Sequence, residues 1–150
     1  MTLRDAVLQL AAALVGSVGF SILFHIRGVK LAVAGLGGLL TWGSYLLLRE
    51  AVPSLLAANL LAACLASAYA EVMARVLRAP ATVFVTPAVI SLVPGGALYN
   101  AMYCAVTGDA AGASAYGYET WNVAVGVAAG IAVTTSVCTF LTTLRRRAGR

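Results

Sequence analysis

The chain has 150 residues, of which 61% are hydrophobic and only 10% charged, where an ordinary soluble domain has roughly 25% charged residues. A soluble fold of this length would leave most of its surface apolar, so composition excludes that class and predicts an all-α integral membrane protein. The net charge of +5 does not indicate nucleic acid, because the bases sit at the ends of apolar runs and form no stripe interleaved with aromatics.

Five runs have the roughly twenty residues that a bilayer crossing requires. The first covers residues 6–26. It exceeds the apolar stretch of about 7–15 residues found in a signal peptide, and so reads as a span that stays. The second, residues 29–48, is entered through the basic turn "HIRGVK". The third, residues 54–77, follows Pro53, which suits a helix start. It carries Ala58, Ala62, Ala66, Ala70 and Ala74 every fourth residue, a row that winds around the helix like a packing seam. The fourth, residues 81–106, is introduced by "LRAP" and broken at Val93-Pro94-Gly95-Gly96. The fifth, residues 118–144, follows the small-residue loop "TGDAAGASAYG", with Asp109 in that loop. Its row Asn122, Gly126, Gly130 and Thr134 includes a GxxxG element, which lets helices approach closely. No loop is long enough for a soluble domain and no repeat is visible, so residues 1–150 form one five-span membrane domain.

Lys and Arg set the orientation. With the C-terminus inside, Arg27, Lys30, Arg75, Arg78, Arg145, Arg146, Arg147 and Arg150 are cytoplasmic, and only Arg4 and Arg49 lie outside. The expected topology is N-out, C-in.

The break in the fourth run invites a functional reading. Pro94 deprives the Ile90 carbonyl of its helical partner, and Pro87 does the same for Val83. Twelve residues lie on either side, about 18 Å each, which puts the break near the membrane middle. If the chain unwinds, a second half-helix begins at Gly95 to Ala97 with bare N–H groups and a positive dipole end. Such half-helices build midplane sites for anionic groups in secondary transporters. Ser91, Pro94, Gly95, Gly96, Tyr99 and Asn100 are the candidate substrate-binding residues, with Thr86 and Tyr103 near them. The alternative is a plain helix kink.

Ionisable groups inside spans are functional suspects. Glu71 has Arg75 one turn on, and Glu119 lies among the interfacial aromatics Tyr116, Tyr118 and Trp121. With Asn59 and Asn122 these acids are the candidates for coupling or for the transport pathway. His25 reads as an interface residue. No buried, isolated carboxylate stands out. Cys64, Cys104 and Cys138 occur singly, with one histidine. Neither a metal nor another cofactor is expected, and no nucleophile–base pair or phosphate loop indicates an enzyme.

The stretch "RVLRAPATVFVTPAVISLVPGGALYNAMYCAV" resembles the signature region of the threonine/serine exporter (ThrE) family. The matching elements are Arg78-Ala79-Pro80, Val93-Pro94-Gly95 and Tyr99. In length and span number the chain is similar to the small subunit of the split form of that exporter (YjjB-like). The resemblance implies a multi-pass protein of the bacterial cytoplasmic (inner) membrane that exports small carboxylate solutes. Those are threonine and serine, or a dicarboxylate such as succinate, with export drawing on the proton gradient. It also implies a partner, a larger five-span membrane subunit forming the other half. Two other readings stay open from the residues alone, a non-transporting membrane scaffold and a homo-oligomeric channel.

Overall fold

A computed structural model describes residues 3–148. Arg150 lies outside the described residues, as do the side chains of Arg145, Arg146 and Arg147. The regular elements of the described residues are all helices: α1 Leu3–Leu23, α2 Val29–Ala51, α3 Leu55–Val76, α4 Thr82–Val89, α5 Gly95–Thr107 and α6 Ala110–Ala148. A single 3-10 turn, Ile90–Leu92, joins α4 to α5. Four helices, α1, α2, α3 and α6, are each long and apolar enough to cross a membrane. Residues 82–92 and α5 pass the same test together as a pair bent by 48°. The protein is therefore a multi-pass helical membrane protein with four or five candidate spans.

Small residues decide how these helices meet, because in lipid close backbone approach replaces hydrophobic burial as the source of packing energy. α1 and α2 run antiparallel. Leu10 touches the Gly43 position, and Val18 the Gly35 position. The Trp42 indole N–H donates to the Gln9 side-chain oxygen at 3.3 Å. α2 and α3 are also antiparallel, with Tyr69 against Gly37 and its hydroxyl donating to the Val33 carbonyl at 2.8 Å.

α3 and α6 form the most extensive helix pair, and they run parallel. Gly126 faces the Leu56 carbonyl, Gly130 faces that of Leu60, and Thr134 donates to the Cys64 carbonyl at 3.5 Å. The glycine row expected from the sequence is thus the α6 side of this seam. The alanine row of α3 is buried along its whole length, from Ala58 to Ala74. Ala70 and Ala74 pack with Ala34 and Phe84, and Ala62 packs with Leu92.

One expected boundary is corrected. The fifth run was expected to start at residue 118, after a loop. Instead α6 is continuous from Ala110 and spans 39 residues, about 58 Å of helix. Asp109 explains the early start. Its carboxylate accepts the Gly112 N–H at 2.9 Å, which caps the helix. The alanines that follow favour helix over loop.

Charge divides between the two ends of the bundle. Arg27, Lys30, Arg75 and Arg78 lie where α1 and α3 finish and α2 and α4 begin. Asp5, Glu50, Asp109 and Glu119 lie toward the other end, with Arg4 and Arg49.

Candidate functional site

The break has a specific geometry. After the 3-10 turn, Val93 is extended and Pro94 has φ −77 and ψ 51. The Gly95 N–H reaches back two residues to the Val93 carbonyl at 2.8 Å. Those dihedrals and that bond define an inverse γ-turn centred on Pro94. A proline suits its centre, since the ring fixes φ and no N–H is lost from the turn.

Two expectations are refined here. The Ile90 carbonyl is not stranded by Pro94, because the 3-10 turn brings the Val93 N–H to it at 3.3 Å. The interruption is also narrower than Val93-Pro94-Gly95-Gly96. Only Val93 and Pro94 are non-helical, and Gly95 and Gly96 already form the first turn of α5. The Gly95 N–H is consumed by the γ-turn. No side chain caps α5, and no hydrogen bond reaches the N–H of Gly96 or Ala97. Two bare donors remain at the positive end of the half-helix dipole.

The break lies within the bundle rather than at its end. Leu92, just before it, is buried against Ala62 and Ala63 of α3. Those alanines are about 11 Å along the helix from Leu55 and about 20 Å from Val76. A second anchor holds the chain just before the turn. Ser17 of α1 donates its hydroxyl hydrogen to the Pro87 carbonyl at 2.9 Å. Ser17 occupies the space where a Gly38 side chain would stand, so the glycine makes this bond possible. Pro87 itself is buried inside α4.

The candidate residues beyond the break are brought together, but they face away from this chain. α5 buries none of its residues and packs mainly on α6. Gly95, Gly96, Tyr99 and Asn100 are exposed, while Ser91 and Pro94 are half-buried. A methyl group placed on Gly95 or Gly96 would meet nothing within 4 Å. Tyr99 and Tyr103 stack with ring centroids 6.5 Å apart. The Ser91 hydroxyl donates to the Ala88 carbonyl at 3.3 Å, which leaves its lone pairs available. The cluster is thus an open surface of two amide N–H groups, an amide side chain and two stacked phenols.

The other candidates lie apart from it. Glu71 pairs with Arg75 at 3.6 Å. Glu119 is exposed on the first part of α6. Asn122 donates to the Tyr118 carbonyl at 2.8 Å, and buried Asn59 donates to that of Leu55 at 2.8 Å. Asn59 also packs beside Gly126, so it belongs to the α3–α6 seam. No hydrogen bond or ion pair joins these four residues to the break. Sequence reasoning missed Ser17, and no local signal marks a bond to a carbonyl 70 residues away. It also missed Ser67, buried one turn before Glu71 with its hydroxyl unpartnered.

Comparison with known proteins adds one match. The family model described as "Threonine/Serine exporter, ThrE" covers residues 9–137, from the first turns of α1 to well into α6. No curated protein and no solved structure matches the chain.

Proposed function

Since the chain belongs to the threonine/serine exporter family, we propose that it is one half of a secondary transporter. This half-transporter exports small carboxylate metabolites across the bacterial cytoplasmic membrane. The solute is threonine, serine or a dicarboxylate such as succinate, and a larger membrane subunit supplies the other half.

The observation that carries this reading is the break itself. Between the two halves of a bent candidate span the chain offers two unbonded N–H groups and a helix dipole, beside Asn100, Tyr99 and Ser91. A solute carboxylate satisfies those donors, which otherwise remain unpaired in a medium without water. The cluster opens outward, so a second surface has to close it, and the larger subunit is that surface.

The packing supports five crossings. α3 and α6 run parallel, so the chain returns between them, and α4 with α5 makes that return through a 48° bend. With the bases of the α1–α2 and α3–α4 corners inside, the topology is N-out, C-in. Proton coupling resides in the larger subunit. Here Glu71 is already paired with Arg75, and Glu119 is exposed.

The test is co-purification of the chain with its neighbouring membrane protein, followed by metabolite uptake into vesicles of inverted orientation. Wild type transports, and Gly96→Leu lowers uptake by at least tenfold at unchanged protein level. A Cβ at position 96 meets no atom of this chain within 4 Å, so the substitution begins in open space. Normal uptake by Gly96→Leu would remove the break from the mechanism.

A further inference from the structure

The same helix-ending device occurs three times among the described residues, and two of its uses are chemically unusual. α1, α3 and α5 each finish with a residue of positive φ, followed by an N–H that bonds back five residues. The bonds are Ile26 to Ser21, Ala79 to Ala74 and Asp109 to Cys104, at 2.9, 3.0 and 2.9 Å. This is the Schellman arrangement, in which the left-handed position usually holds glycine. α5 follows the rule with Gly108 at φ 83. α1 and α3 place His25 at φ 59 and Arg78 at φ 48. Both exceptions stand at the basic end of the bundle, where a glycine would relieve the strain.

A concavity opens between these two helix ends. It has a volume of about 520 Å³ and is lined by His25, Arg27, Lys30, Leu77 and Val83 among others. A second hollow of about 230 Å³ shares Phe24, Ile26 and Val83 with it and continues along α4 to Thr82, Thr86 and Pro87. Two cationic side chains, Arg27 and Lys30, therefore line the outer hollow, and two hydroxyls, those of Thr82 and Thr86, lie along the otherwise apolar inner one, which reaches one helical turn short of the 3-10 turn. The nearest acid on the helices flanking this corner, Glu71, is paired with Arg75.

We infer that this corner is an anion-admitting mouth, in which Arg27 and Lys30 receive the carboxylate of the solute before it passes along α4 toward the break. The inference rests on the proposed export function for the identity of the anion and for its passage to the break. Concave low-dielectric walls focus the field of such charges and raise the local anion concentration.

Lys30 is the single lysine in the chain, so its amine can be followed by itself. The full chain is reconstituted in pure phosphatidylcholine vesicles, and Lys30 is labelled with a water-soluble acylating reagent. Labelling is read by mass spectrometry with added succinate or with uncharged succinamide. Succinate slows labelling saturably, about fivefold or more at low salt, and salt weakens the protection; succinamide gives none. Equal labelling with and without succinate overturns the mouth. So does protection that arises only when phosphatidylglycerol is present, which would assign the corner to lipid headgroups.

Transport supplies the second readout, in vesicles that contain the co-purified subunit. Arg27→Gln with Lys30→Gln raises KM about fivefold with little change in maximal rate. Arg78→Gly raises the thermal midpoint by removing strain and leaves KM unchanged, because Arg78 lines neither hollow. A rise in KM for Arg78→Gly equal to that of the double variant would overturn the assignment of the mouth to Arg27 and Lys30. Lys30 protection without any transport by wild type would leave the mouth standing and remove the exporter reading instead.

Discussion

Ser17, Gly38 and Pro87 form a three-helix contact in which each residue makes sense only through the others. Pro87 has no N–H, its carbonyl takes the Ser17 hydroxyl, and the missing side chain of Gly38 leaves room for that serine. Gly38→Ala pushes its methyl into Ser17. The expected loss is about 1–3 kcal/mol of stability, measured by unfolding in mixed detergent micelles. Ser17→Ala removes one bond between helices in lipid, worth about 0.6 kcal/mol and at most about 1.7. The two changes combined cost less than their sum, because alanine at position 17 removes the hydroxyl, the atom nearest the new methyl, and leaves only the Cβ contact. An additive result would show that Ser17 and Gly38 do not share this contact.

At the scale of whole helices, glycines of one type have two different roles. Gly126 and Gly130 of α6 lie against the α3 backbone, where an added Cβ would stand 2.7 Å from the Leu56 carbonyl oxygen at position 126. Gly16 and Gly19 of α1 face open space. Gly130→Ala is expected to destabilise by about 1–3 kcal/mol. Gly16→Ala is expected to be neutral, or to stabilise by about 0.5–1 kcal/mol through higher helix propensity. Thermal midpoints of the two variants in detergent distinguish these outcomes directly. The break makes a prediction of the same kind. Pro94→Ala restores an N–H and frees φ, so α4 and α5 straighten from their 48° bend. Spin labels on Thr82 and Val106 then move apart, and an unchanged distance would show that packing against α6 holds the bend.

For the molecule as a whole, the division of charge makes topology testable. Thiol labelling in a cysteine-free background places a Gly28→Cys probe on the cytoplasmic side and an Asp109→Cys probe on the outer side. Accessibility of both probes from one side would contradict five crossings. α5 and the first part of α6 form a hairpin whose Tyr99, Met102, Tyr103, Val106, Tyr118 and Trp121 are all exposed. On the proposed reading this surface faces the larger subunit. Truncating Met102 and Val106 to alanine then weakens co-purification while leaving the chain's own stability nearly unchanged, because α5 buries nothing.

Composition, run length and base placement determined that this is a helical membrane protein, because hydrocarbon admits few alternatives to an apolar helix. The small-residue rows were equally legible as packing faces: the alanines of α3 are buried and the glycines of α6 lie against the α3 backbone, because only small side chains let two backbones meet. Pro94 announced an interruption in the same way, since a missing N–H is a local fact. Folding in three dimensions decided the rest. Only tertiary contacts placed the break against Ala62 and Ala63, brought Ser17 to Pro87, and turned Gly96 and Asn100 outward. Periodicity fixes which residues share a helix face, but the neighbour that covers the face depends on contacts between distant parts of the chain. Asp109 lengthened α6 for a subtler reason. A capping carboxylate, together with the helix-favouring alanines after it, outweighed the glycines and serine that make the run read as a loop.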